Sequence, residues 1–451
     1  MRQRLWDKLL KLAFIFSLIF FSIFYGMTAI HFRIFPYHLI INALEALDNL
    51  SGKDDWIYQR TDKLTPLVKF NPEGVQPGLT MIVRVADKDR LAIEVINHRG
   101  ERIHQWDIDW FEIWGDATHV PKESLPKRRP GTHIHGAAIT DDGGVIFNFE
   151  HLGLVKLNAC GAVRWRLPYR THHSIYIDRE KNIWVSGQIN HDQPLDYMPN
   201  YQPPFIEPTV LKVSPEGKIL EEKSVFRLLL DNNRQGALYF STRDEFSNEF
   251  KGDTLHLNDV EVYEGRPGFF KPGDVMISLR NINTIFVFDP HWRLKYQWSN
   301  EFVHQHDPDF IDGYTITVFD NNNIAGDGRG HYSRILRHTV SEGNGGKGKT
   351  EIVWSGSAER PFYTETMGKH QWLKNGNLLL TESLHGRALE IDTKGNIVWE
   401  FLNLLGKGRL GLMEEAERLP VNINAVFFAD AVAACNKSMN RPTASYRGTG
   451  R

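Results

Sequence analysis

The chain opens on one long apolar run and then settles into short, alternating stretches. Leu12 to Ile30 (LAFIFSLIFFSIFYGMTAI) carries no charge over nineteen residues, enough for a helix to cross the hydrocarbon core of a bilayer. Arg2, Arg4, Lys8 and Lys11 precede it, so the positive side stays in the cytoplasm and everything beyond Ile30 is exported to the periplasmic, extracytoplasmic side. Residues 1–11 read as a basic cytoplasmic segment and 12–30 as a transmembrane signal anchor. A cleaved signal peptide is the second reading; the run is long for one, and no small-x-small site follows it. Residues 31–78 read as a linker. Within it LIINALEALDNL has the spacing of a short amphipathic helix, and Pro66, Pro72 and Pro77 mark an irregular approach to the globular part.

From Leu79 a strand pattern recurs. Each unit has a His-led strand, a turn, a strand such as VIFNF or LLLTE, a strand such as ALEID, a Gly-bearing turn, and a strand ending in Trp. Its head returns at His135, His172, His256, His306 and His370, after a first unit at Leu79 to Trp106. Four strands repeated six times predict an all-β fold, a six-bladed β-propeller over residues 79–401. Two unrelated β-sandwiches would not repeat one internal order. After Phe401 the chain turns polar: GLMEEAERLP predicts a helix, and the end of 402–451 a disordered tail.

In a propeller the head of each innermost strand faces the central channel at one end. His135, His172 or His173, His256, His306 and His370 therefore converge, provided the register holds, since a slip of one residue turns a side chain to the other face. Arg280, which closes GDVMISLR, joins them. The 451 residues hold 53 Lys and Arg against 55 Asp and Glu, and that balance lacks the basic surplus of a nucleic-acid partner. Cys160 and Cys435 are the only cysteines, which excludes a disulfide framework or a Cys-type zinc site. One bridge between them needs an oxidising compartment, and their separation along the chain argues against it.

A ring of imidazoles with one guanidinium supports three kinds of chemistry. His133/His135 and His304/His306 are both H-x-H, which sets two rings on one strand face. A metal site would add a further Asp, Glu or His, and Arg280 would repel a dication, so neither metal nor cofactor is expected. Transfer of an anionic group fits better. The Arg fork matches sulfate, phosphate or carboxylate oxygens, a second His donates to them, and a neutral His306 attacks. The third reading is a propeller used only for binding.

The segments LHLND, GDVMISLRN, QHDP with VFDN, and HHSI resemble the bacterial arylsulfate sulfotransferase family, which works without a nucleotide donor; NGNLLLTES, GRALEID and GNIVWEF fit its last blade. The resemblance covers roughly 131–401. It implies that His256 and Arg280 hold the sulfuryl oxygens, that His306 is the nucleophile, and that His172 or His173 supplies a further ring. Asn258 then binds substrate with His135 and His370, and Asp307 or another polar group holds the His306 tautomer. It implies a ping-pong reaction in which an aryl sulfate sulfates His306 and a phenolic acceptor takes the group away. Two departures stand out. The stretch before Leu79 is too short for the family's N-terminal β-domain, and Arg266, Pro267, Phe269 and Phe270 alter the loop after His256. Asp192 to Phe205 reads as a lid. A hydrolase of another anionic ester and a non-catalytic binding propeller are the alternatives, and a homodimer is left open.

Overall fold

The computed structural model describes residues 2–32, 35, 57–87, 90–240, 250–324, 331–341, 348–406 and 408–439. Two compact units divide the chain at residue 55. In the first, Arg2–Phe32 is one helix, long and apolar enough to cross a membrane between Gln3 and Ala29. The amphipathic helix expected at 38–50 and the tail at 440–451 lie outside the described residues.

The second unit is a six-bladed β-propeller. Strands with apolar residues on both faces alternate with turns, so each sheet is buried between two others, as stacked blades require. The second to sixth blades each use consecutive antiparallel strands, from Ile134–Ile139 outward in the second to Lys369–Trp372 outward in the sixth. The first blade is composite. Its three outer strands are Thr80–Asp87, Arg90–Ile96 and Arg102–Ile108, and its innermost strand is Met413–Arg418 from the other end of the propeller. Leu67–Phe70 adds a fifth, outermost strand to the sixth blade. The ring is thus closed from both ends, and the boundaries read from the repeat, 79 and 401, fall short on each side. The expected helix GLMEEAERLP is a correction: pairing with Thr80–Asp87 overrides the helix propensity of Glu and Ala, and the C-terminal helix lies later, at Ala425–Met439.

Each interface between neighbouring blades has its own apolar cluster. Val83, Phe147 and Phe149 lie between the first and second blades. Ile146, Val185 and Leu211 join the second to the third, and Phe226, Phe286 and Phe288 the third to the fourth. Ile285, Trp298 and Val318 follow, then Phe319, Leu380 and Leu389. Ile82, Trp399 and Met413 complete the circle. Burying one such side chain stabilises by about 1.5–3 kcal/mol, so the ring rests on many contacts. The Trp that ends an outer strand also bridges blades: the indole N–H of Trp106 donates to the Asn158 carbonyl, Trp165 to Pro215 and Trp399 to His98, each at 2.9 Å.

At the head of five innermost strands the backbone turns left-handed, at Gly136 (φ 100°), His173 (63°), His256 (53°), Asp307 (51°) and Gly368 (99°). Register shifts there break the pairing with the second strand in the second, third and fifth blades, the mark of a bulge that re-aims side chains. At Gly136 a Cβ would stand 2.2 Å from the His173 carbonyl oxygen, so the two strands approach only because that residue is glycine.

Of the stretch read as a lid, only the end is fixed in the blade. Tyr201–Val213 is a long strand of the third blade, and Tyr201 and Phe205 are fully buried against Phe226. Cys160 and Cys435, whose separation argued against pairing, are bonded, with Cα atoms 6.3 Å apart. The bond ties the C-terminal helix, whose Phe428 stacks on His104, to the second blade. Because this loop is long, the bond restricts the unfolded chain and contributes about 2–4 kcal/mol. Cys435→Ser is therefore expected to lower Tm by about 5 °C or more, measured by differential scanning fluorimetry; an unchanged Tm would contradict it.

Candidate active site

At one end of the channel the bulged strand heads gather seven imidazoles: His133, His135, His151, His172, His173, His256 and His306. The rings of His135 and His173 are 3.8 Å apart, those of His173 and His256 4.9 Å, and those of His173 and His306 5.9 Å. Both members of the HHSI pair enter the cluster. His172 Nδ1 and His173 Nδ1 are 2.6 Å apart, and His173 Nε2 lies 3.3 Å from His256 Nε2.

The orientation of His306 follows from Asn321. The Asn321 amide donates to the carbonyls of Thr364 and Met367 at 2.9 and 2.8 Å, which turns its Oδ1 to His306 Nδ1 at 2.7 Å. An amide oxygen only accepts, so the imidazole carries its hydrogen on Nδ1, shared with the His304 carbonyl at 3.1 Å. Nε2 keeps its lone pair and accepts from the Met367 backbone N–H at 3.3 Å. Asp253 orients His256 in a similar way: its Oδ1 accepts from the His256 backbone N–H at 2.9 Å and its Oδ2 engages the ring Nδ1. Arg280 follows the second strand of the fourth blade, where its Nε donates to Asn281 Oδ1 at 3.1 Å. Among the described residues its terminal nitrogens have no hydrogen-bond partner.

Burial first, and the Arg280 charge after it, hold the His306 ring well below the usual histidine range. His172 and His173 are lowered by burial and then by neighbouring imidazoles, and burial takes His135 down to about 3. These rings are neutral at neutral pH. Burial opposes ionisation of Asp253, but His256 and Arg280 bring its carboxyl below the usual range.

The structure therefore gathers His135, His172, His173, His256 and His306, with Arg280 near enough to act on His304 and His306. Asn258 lines the same space; its amide donates to the Gln305 carbonyl at 2.7 Å, and its Oδ1 is buried without a partner. His370 is not brought in. Met367 and Gly368 occupy the head of the sixth blade, and His370 sits further on, bonded to Asp307 and, at 2.7 Å, to Thr317. Nor does Asp307 hold His306; it pairs with Lys369 at 2.8 Å. Asn321, Asp253 and the Met367 N–H are the groups the sequence reading missed. Asn321 ends VFDN and Asp253 stands three residues before His256, so both were visible as polar residues without an assigned partner.

Further along the channel the inner strands present carboxylates instead: Asp259, Glu261, Asp307, Asp309, Glu415 and Glu417 surround Lys369. Burial pushes Asp259 up to about 7 and Glu417 to about 8.

Neutral imidazoles, a guanidinium with open donors and a ring nitrogen holding its lone pair thus meet at one end of a propeller channel. The family model described as arylsulfotransferase (ASST) matches residues 136–403, more than half of the chain. The chain belongs to the arylsulfotransferase family and is a sulfotransferase acting on aryl substrates. No curated protein sequence matches it significantly. Solved structures similar to it include a protein of unknown function from Bacteroides caccae (14% identity, TM-score 0.44, covering 75% of this chain and 98% of that one). A streptogramin B lyase is 12% identical, with TM-score 0.38 over 76% of this chain and 89% of its own. Likenesses this distant carry no argument about chemistry.

With 15N-labelled histidine, the rings of His135, His172, His173 and His306 are expected to keep neutral-imidazole signals from about pH 7.5 to 5.5, where an ordinary histidine titrates around 6.5. The signal lost in His306→Gln identifies His306 as the Nδ1–H tautomer. An imidazolium signal growing in for His306 over that range would contradict the geometry.

Proposed function

We propose that the enzyme moves a sulfuryl group from an aryl sulfate to a phenolic acceptor through a sulfohistidine on His306, on the extracytoplasmic side of a membrane that the N-terminal helix anchors it to. The observation that carries this reading is the His306 ring, held through Nδ1 by Asn321 with its Nε2 lone pair kept and Arg280 close by. The Cys160–Cys435 bond supports an oxidising, exported location.

In the first half-reaction Arg280 and His256 bind the sulfuryl oxygens. The Nε2 lone pair of His306 forms the N–S bond while the S–O bond to the aryl group breaks. His256 enters this step as the imidazolium, so the leaving phenolate takes its Nε2 proton while Nδ1–H stays on Asp253. Charge in this loose transition state lies on the equatorial oxygens, where fixed donors stabilise it most. The Met367 N–H, released from Nε2 as the new bond forms, turns to a sulfuryl oxygen. In the second half-reaction a phenol gives its proton to His256, its oxygen attacks sulfur, and the N–S electron pair returns to Nε2. His172 and His173 keep the inner wall of the pocket neutral and positioned, and Asn258 Oδ1 suits an acceptor hydroxyl.

His306→Ala is expected to reduce transfer by about 1000-fold or more and to abolish the one-SO3 increase in intact mass after quenching with an aryl sulfate alone. Full turnover in the variant would reject the nucleophile; free sulfate without sulfated acceptor would make the enzyme a hydrolase, and binding without either product a receptor. Arg280→Gln removes a cation that lowers the His306 pKa, so that pKa rises. Since the reactive ring must be neutral, the acid limb of the pH–rate profile for the first half-reaction is expected to move to higher pH. A limb unmoved, with only its height reduced, would show that Arg280 does not act on His306.

A further inference from the structure

We propose that His133, His135 and Glu150, at one edge of the imidazole cluster, form a binding site for a divalent transition-metal ion of the zinc type. It stands on observations independent of the sulfuryl chemistry. His133 and His135 lie at the head of the innermost strand of the second blade, either side of Ile134, with rings 5.3 Å apart. Glu150 follows the second strand of that blade and reaches the same point. His133 Nδ1 lies 3.3 Å from Glu150 Oε2, and His135 Nδ1 lies 3.5 Å from Oε1. One ligand atom from each of the three residues is within 4.8 Å of the other two. Around a tetrahedral zinc ion with bonds of about 2.0–2.1 Å, neighbouring ligand atoms stand about 3.3 Å apart, and both His–Glu150 distances are compatible with that spacing.

Two further features point the same way. His135 Nδ1 is completely buried and has no hydrogen-bond partner, although its ring is only 6% exposed. An orphaned imidazole nitrogen aimed at a carboxylate is costly without an ion between them. On their far sides both rings turn Nε2 to one buried carboxylate, Glu414, at 3.2 Å for His135 and 3.8 Å for His133. A carboxylate behind a ligating imidazole fixes the tautomer and strengthens the ligand. Glu150 brings a negative charge to meet a dication beside Arg280. Glu150, 29% exposed, gives access from solvent. The objection raised by the sequence, that the H-x-H pair lacks a third ligand, is met by a residue whose position only the fold reveals. Among the described residues the other cluster of this kind, Asp307, Asp309 and His370, already holds the Lys369 ammonium and does not need an ion.

The test uses the full chain in detergent, purified without a polyhistidine tag, stripped with chelator and titrated with zinc chloride against a chromophoric chelator. One equivalent is expected, with X-ray absorption showing nitrogen and oxygen ligands at about 2.0–2.1 Å. Glu150→Gln and His133→Ala are each expected to weaken zinc binding by at least about 100-fold, and Glu414→Gln by about 10–100-fold, while His370→Ala leaves it unchanged. Circular dichroism checks folding, and Glu150→Gln, nearly isosteric, serves should His133→Ala fail it. No tight equivalent in the parent chain, undiminished binding in Glu150→Gln, or loss in His370→Ala would each overturn the proposal.

Discussion

Burial keeps His135, His172, His173 and His306 neutral, and neutrality is what lets them crowd together. Were these rings protonated, they would repel one another at spacings of about 4–6 Å by several kcal/mol per pair at the effective dielectric of a protein interior. Removed from water they stay uncharged, so they pack like aromatic residues and keep lone pairs for chemistry. The one permanent cation, Arg280, can then act as a local charge. That arrangement in turn requires the ring to close, because each strand head is positioned by its neighbours.

The channel is polarised along its length by the same inner strands. At one end they contribute histidines, and a few residues on they contribute carboxylates gathered about Lys369. The two ends respond to acid in opposite senses. The neutral rings bind fewer protons in the folded chain than in the unfolded one, so their contribution to stability falls as pH drops through about 6.5. Asp259 and Glu417, raised to about 7 and 8, are destabilising when ionised, and that cost is lost as pH falls through those values.

What the sequence disclosed follows from locality. The apolar run, the repeated strand units and the His at each strand head are short-range patterns, and they led to the propeller and to His135, His172, His173, His256 and His306. His370 misled because the sixth blade places Met367 and Gly368 at its head, a slip that the strand pattern does not record. The closing strand Met413–Arg418 was illegible because its partner, Thr80–Asp87, lies at the far end of the propeller, and on its own EEAER favours a helix. Asn321, Asp253 and Glu150 were visible as residues but not as neighbours, and the Cys160–Cys435 bond depends on a helix docking that no local pattern announces. Long-range register, rather than propensity, decided each of these.

The central claim is that the hub holds one imidazole nitrogen ready to accept a sulfuryl group and keep it until an acceptor arrives. Rapid mixing of the purified chain with a chromogenic aryl sulfate, without acceptor, tests it directly. The account predicts a burst of one phenol per chain followed by arrest, with turnover resuming when a phenol is added. Continuous phenol release with free sulfate, or no burst and transfer only when both substrates are present, would contradict it.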